Sequence, residues 1–271
     1  MRIRSILKVA VAIASLWMPQ VQAQPVLDPP LRIFTEDRPP FNYIANDGEL
    51  TGVSTEIIRA ALKHAEINTP IEVFPWARSF YLAVHRPNSL IFTIVRSPDR
   101  EGKFLWVGEL MPLDDWFYRA GGRNDVNPGS FADVLSCCQI CVVNKDISEE
   151  ILQRSGAVRG KNYIVADSFM DCARLVDSRN VELLVDSHFD TDGAVEKKLH
   201  HSTIALEGVL PVPIPAGVHE MAYIAANPDT PPELINRLRQ ALQQMQASGE
   251  TDRIKHDFFE RFKHSPAPVS P

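Results

Sequence analysis

The chain has no long apolar run, no basic surplus and little cysteine, and each shortage closes off a class of protein. Its longest apolar stretch, Val9 to Trp17, is too short to cross a bilayer as a mature helix, which needs about 20 residues. Acidic side chains outnumber basic ones by 34 to 28, a formal net charge of −6. Phosphate binding needs a basic face, so the balance argues against a nucleic-acid partner. There is no Gly-rich phosphate loop, no His-Glu-x-x-His, no Ser-His-Asp order and no internal repeat. Cysteine occurs only at 137, 138, 141 and 172. Cys138-Gln-Ile-Cys141 has the spacing of half a zinc or redox site, but no further ligands stand at matching spacing. Asp190-Thr191-Asp192-Gly193 begins like a calcium loop and lacks the later ligands, so it reads as a helix start. His200-His201 reads as solvated. No metal and no cofactor is expected.

What is present begins with a leader. Arg2, Arg4 and Lys8 precede the apolar run, and Val21-Gln22-Ala23 follows it, the pattern of a secretory signal cut near Ala23. No cysteine follows the run, which argues against a lipid anchor. The expectation is an exported, periplasmic, monomeric protein. In that oxidising compartment an even cysteine count reads as disulfides. Adjacent Cys137 and Cys138 are sterically poor partners, so the expected bond joins the 137–141 cluster to Cys172.

The mature chain alternates strand and helix, which implies an α/β fold with a mainly parallel sheet. Leu31 to Thr35, Ile71 to Phe74, Leu90 to Val95, Ile140 to Val143, Tyr163 to Ala166 and Val181 to Val185 read as strands. Ser54 to Glu66, Ser148 to Ser155 and Ser168 to Asp177 carry apolar residues at helical spacing. Near the C-terminus, Thr230 and Glu233 form a capping-box pattern with Pro231 at the first helical position. That helix stops at Gly249, and a last one carries Ile254, Phe258 and Phe262 before a Pro-rich tail expected to fray after His264.

The densest signal is Phe92-Thr93-Ile94-Val95-Arg96-Ser97-Pro98-Asp99-Arg100-Glu101. Pro98 cannot extend a ladder, so a strand ends here and places guanidinium groups at its carboxyl end. Ligands of open α/β sheets bind there, and arginine grips carboxylates. Upstream stand Arg38-Pro39-Pro40-Phe41, the turn Asn46-Asp47-Gly48, Gly52 and Pro75-Trp76-Ala77-Arg78. This order resembles the bacterial extracellular solute-binding proteins of family 3, with Ser97-Pro98-Asp99-Arg100 in place of Thr-x-x-Arg.

The resemblance implies a type II periplasmic-binding-protein-like fold, two α/β lobes with a ligand cleft between them. Lobe one would comprise residues 24–115 and 216–271, and lobe two residues 116–215. It implies that Arg100 holds a ligand carboxylate and that Thr93 lies where small hydroxyl or backbone contacts are made. Trp76 offers an aromatic face and Arg78 a second anion contact, or else Trp76 packs on the sheet and Arg78 is solvated. Arg38 stands where a stacking aromatic is common and points to a more acidic ligand, whereas Phe41 reads as core. Lys145-Asp146-Ile147 replaces a helix start that usually helps hold the carboxylate. Asp186, with Ser187 beside it, is the candidate ammonium partner. The function implied is capture of a small carboxylate-bearing solute, an amino acid or a relative, for a membrane permease or a sensor. The alternatives are a dehydratase on the same fold, with Glu36, Asp37, Asp186 or His188 as acid or base, and a soluble sensor module.

Overall fold

The computed structural model describes residues 30–188 and 204–265. The leader, residues 190–193, His200-His201 and the tail beyond 265 lie outside the described residues. Two five-stranded sheets organise the chain. The first has β1 (Arg32–Thr35), β4 (Ile71–Val73), β5 (Ser89–Val95), β6 (Leu105–Pro112) and β12 (Met221–Ala226) in the order β4-β1-β5-β12-β6. The second has β7 (Asp115–Ala120), β8 (Ile140–Val143), β9 (Tyr163–Ala166), β10 (Leu183–Ser187) and β11 (Leu206–Pro211) in the order β11-β7-β10-β8-β9. A small ribbon joins β2 (Tyr43–Ile44) to β3 (Leu50–Thr51).

Within the first sheet β1 pairs in parallel with β4 and β5, while β12 returns antiparallel between β5 and β6. In the second, β10, β8 and β9 are parallel, and β7 runs antiparallel to both of its neighbours, β10 and β11. Every position of β5 is buried, as a parallel strand covered on both faces requires. Helix α1 (Val53–His64) covers the first sheet and packs against α6 (Pro232–Ala247) and α7 (Glu250–His264). Ile57, Ile58 and Ala61 of α1 meet Leu238, Met245, Phe258 and Phe262 in one cluster. Helix α2 (Trp76–His85) lies against β1 and β5 on the other face. In the second lobe α3 (Phe131–Cys137), α4 (Ile147–Arg154) and α5 (Phe169–Asp177) cover the sheet. Gly52, just before α1, has a φ of 119°, and a Cβ there would fall 2.3 Å from the Phe41 carbonyl oxygen. Only glycine lets α1 begin that close to the β1 turn. Among the described residues no helix is long and apolar enough to cross a membrane.

Three sequence expectations need correction. The capping box does not form. Helix α6 begins at Pro232 with Pro231 as its cap, and the Thr230 hydroxyl donates to the Ser89 carbonyl instead. That bond ties the helix start to the strand below it. Cys137 and Cys138 are bonded to each other, contrary to the steric expectation. Cys141 and Cys172 form the other disulfide, between β8 and α5, which leaves Cys137 and Cys138 only one another. Helix α3 ends between them, and Cys138 is already extended at φ −132°. The expected link from the cluster to Cys172 is present. Strand β10 also runs two residues further than its apolar pattern, so Asp186 and Ser187 lie within it.

Candidate functional site

The parallel strands of both sheets point their carboxyl ends at the cleft, where ligands of such sheets collect. From the first sheet come Glu36 and Arg38 after β1, and Ser97 and Arg100 after β5. From the second come Lys145 and Asp146 after β8, and Asp186 and Ser187 at the end of β10. Asp115 opens β7.

Arg38 projects from the first lobe into this acidic group. Its Nη2 lies 3.1 Å from Ser187 Oγ, 3.4 Å from Asp186 Oδ1 and 3.7 Å from Asp115 Oδ1. Ser187 donates in turn to Asp115 at 2.7 Å. The guanidinium also sits 5.5 Å from the Phe41 ring, which is core. Burial disfavours the Arg38 charge, but Asp186, Asp115, Asp146 and Glu36 together hold its proton more tightly than usual. Burial pushes the Asp115 and Asp186 carboxyls up to about 6 despite the pull of Arg38. Glu36 is pushed further, to about 8. Burial is the main cause, Arg38 opposes it, and Asp146, Asp37 and Asp186 add to it.

Arg100 is 3 % exposed and fully engaged. Its Nη1 donates to the Val95 carbonyl at 3.0 Å and its Nη2 to the Lys145 carbonyl at 3.1 Å. Nε lies 3.6 Å from Glu150. Burial lowers its pKa, with Asp146 and Glu150 acting against that. Trp76 Nε1 donates to the same Lys145 carbonyl at 2.9 Å, and Arg100 stands 5.8 Å from the indole ring. Lys145 has a φ of 65°, and its amide donates to Glu149. Ser97 donates to Glu150 at 2.9 Å, and Arg154 donates to Asp99 at 2.6 Å. The turn after β5 is thus bonded across the cleft to α4 and to the turn that precedes it.

Trp76 packs beside Phe34 and Phe80, and its ring nitrogen reaches the second lobe. Arg78 is not brought to the cleft. It is exposed on α2, 4.4 Å from the Phe74 ring. Thr93 is the residue at which β5 bulges opposite β12, with a φ of 59° and a buried hydroxyl that has no hydrogen-bond partner. Arg38 does not present a free charge to an acidic ligand, because Asp115 and Asp186 hold it. Of the acid or base candidates, Asp37 accepts from the Ile44 amide and His188 meets the Tyr118 hydroxyl. Glu36 and Asp186 lie in the cleft.

Sequence reasoning passed over Asp115, Glu150 and the Lys145 carbonyl. A carbonyl belongs to every residue and carries no sequence signal. Asp115 follows no motif, and Glu150 looks like any solvated helix residue. A space of only about 10 Å³ remains here between the lobes, with Glu36, Arg38, Asp146 and Ser148 as its polar lining.

Comparison with solved structures places this architecture. A histidine kinase sensor domain with similarity to periplasmic binding proteins superposes with a TM-score of 0.70 at 16 % identity, covering 84 % of this chain and 95 % of that one. An ancestral arginine-binding protein bound to arginine gives 0.69 at 18 %, covering 84 % and 97 %. The GluR0 ligand-binding core from Nostoc punctiforme in complex with L-glutamate gives 0.64 at 15 %, covering 85 % and 99 %. Likeness at such low identity establishes the fold alone. No curated protein sequence matches the chain. Residues 31–261 match the bacterial extracellular solute-binding proteins, family 3, and the chain belongs to that family.

Proposed function

We propose that the protein captures a small polar solute between its lobes and that closure over the solute makes the form a membrane permease or sensor recognises. The observation that carries this reading is the set of bonds across the cleft, from Arg100, Trp76, Ser97 and Asp99 to Lys145, Glu150 and Arg154. They link the two sheets through polar groups at the cleft, beside an apolar cluster that runs through both. Polar contacts of this kind can open and re-form, and a solute touching both lobes stabilises the closed population.

In this reading residues 24–115 and 216–271 form lobe one and residues 116–215 lobe two. The protein works as an exported monomer after removal of a leader near Ala23. Family membership supports the extracellular setting. A carboxylate-bearing ligand held by Arg100 would have to displace the Lys145 carbonyl from that guanidinium. A dehydratase would consume its ligand, whereas a binding protein returns it unchanged.

Solution scattering and thermal melting against a panel of amino acids, amines and small acids test the proposal. A binding solute should raise the melting temperature and hold the compact form, and it should be recovered intact. If no solute moved either measurement, solute capture would be refuted.

A further inference from the structure

The cleft at the strand ends is nearly full, and the larger space lies to one side of it. A groove of about 490 Å³ opens between α2 and α4, and Arg100 and Lys145 are part of its wall. Ala77, Phe80, Tyr81 and Val84 also line it. Their spacing of three and four residues puts them on one face of α2, so one wall is apolar and aromatic. Tyr81 is 61 % exposed, the most of any large apolar side chain among the described residues, and His85 packs on its ring at 4.4 Å. Aromatic rings left open in a concave site are the usual contacts of small ligands.

The opposite wall is polar, and its acids already have partners. Asp99 accepts from Arg154, and Glu150 faces Ser97, Arg100 and Arg154. Glu149 accepts from the Lys145 amide and from Gln153. Asp146 caps α4 through Ser148. Arg100 is held by two carbonyls. What remains is positive. The ammonium groups of Lys103 and Lys145 line the groove and meet no acceptor among the described residues. Lys103 stands between β5 and β6 of the first sheet, and Lys145 between β8 and α4 beside the second. An ammonium offers three donors and no acceptor, so its complement is an anion.

We propose that this groove takes an aromatic carboxylate, its ring against Phe80 and Tyr81 and its carboxylate answering Lys103 and Lys145. This rests on the solute-capture reading and names its ligand class. The carboxylate is not handed to Arg100, so the bonds across the cleft stay intact while the ligand adds contacts on both sides of it. Exposed ion pairs contribute little each. Ring burial therefore supplies most of the affinity, and the lysines supply the preference for an acid.

Calorimetry with phenylacetate makes the test. Phenylacetamide is the neutral match, phenethylamine the cation, acetate the acid without a ring and phenylalanine the amino acid. Phenylacetate should bind at least about fivefold more tightly than the amide or the amine, and that preference should shrink as salt is raised. Lys103→Gln and Lys145→Gln should each weaken phenylacetate by about two- to fivefold. Both should leave phenylacetamide binding and the melting temperature of the free protein unchanged. The Lys145 carbonyl survives its substitution, so closure is preserved. Tyr81→Ala should weaken acid and amide alike, by about fivefold. If the amide, the amine or acetate bound as well as phenylacetate, or if neither lysine variant lost affinity, the assignment would be overturned. Preference for phenylalanine, or closure by a solute of another class with no binding of phenylacetate, would overturn it while leaving solute capture standing. Failure of every solute to bind or close the lobes would remove both.

Discussion

The turns after β1 and β5 leave adjacent parallel strands, enter the same cleft and carry one buried arginine each, yet they treat charge in opposite ways. After β5, Arg100 finds two carbonyls and Glu150, and Ser97 and Asp99 find partners on α4. After β1, Arg38 is shared between two aspartates, and among the described residues Glu36 accepts no side-chain hydrogen bond. One corner closes on the chain itself and the other is incomplete. A buried polar group that is satisfied holds a structure together, whereas one left unsatisfied invites a ligand. In the proposed reading the β5 corner acts as a latch.

The strongest way to break the comparison is to remove the unmet charge. Glu36 rises from 4.5 to about 8 in the folded protein, a difference of about 5 kcal/mol between its two protonation states. Its carboxyl binds a proton more readily folded than unfolded across that window. The stability it contributes is therefore complete below pH 4.5 and lost as pH rises through about 8. Glu36→Gln should flatten this decline and be the more stable protein above about pH 8. Urea unfolding at several pH values will show it, and an unchanged slope would place the unmet charge elsewhere.

Next is the latch. Arg100→Ala leaves Glu150 and the Lys145 carbonyl without their arginine, at a cost of roughly 2–5 kcal/mol to the closed form. Solution scattering should shift toward an extended population while the fold melts as one unit. A compact Arg100→Ala protein would mean that Arg100 does not hold the lobes. Trp76→Phe keeps the ring in its aromatic cluster and removes only the donor to Lys145, so the loss should be about 1 kcal/mol. Scattering on the double variant would show whether the two donors act through the same carbonyl.

The smallest effect belongs to Arg78. Exposed and stacked on Phe74, it should cost no more than about 1 kcal/mol when changed to alanine, with solute binding unaltered. A binding defect there would bring the outer face of α2 into the site.

Much of the architecture was legible because local physics wrote it. The apolar run from Leu90 to Val95, the 3.6-residue spacing of Ile57, Ile58, Ala61 and Leu62, and the stop at Pro98 follow from burial and backbone sterics within a few residues. The buried arginines at strand ends were visible as types and positions. Their partners were not. Asp115, Asp186 and Ser187 meet Arg38 across a separation of 77 residues or more, and nothing near either end announces the other. The Thr230 pattern shows the same limit, since a carbonyl of β5 outcompeted the local cap for its hydroxyl.

The sequence by itself determined the alternation of strand and helix and the family motifs that set charged groups at strand ends. Hydrophobic period and turn chemistry are properties of neighbouring residues. Only the tertiary structure decided that β12 returns between β5 and β6, that Cys137 pairs with Cys138, and that Arg100 meets a carbonyl while Glu36 accepts no side-chain hydrogen bond among the described residues. Those outcomes depend on which groups distant in the chain arrive within about 3 Å of one another, and at that range burial converts a charge's surroundings into its chemistry.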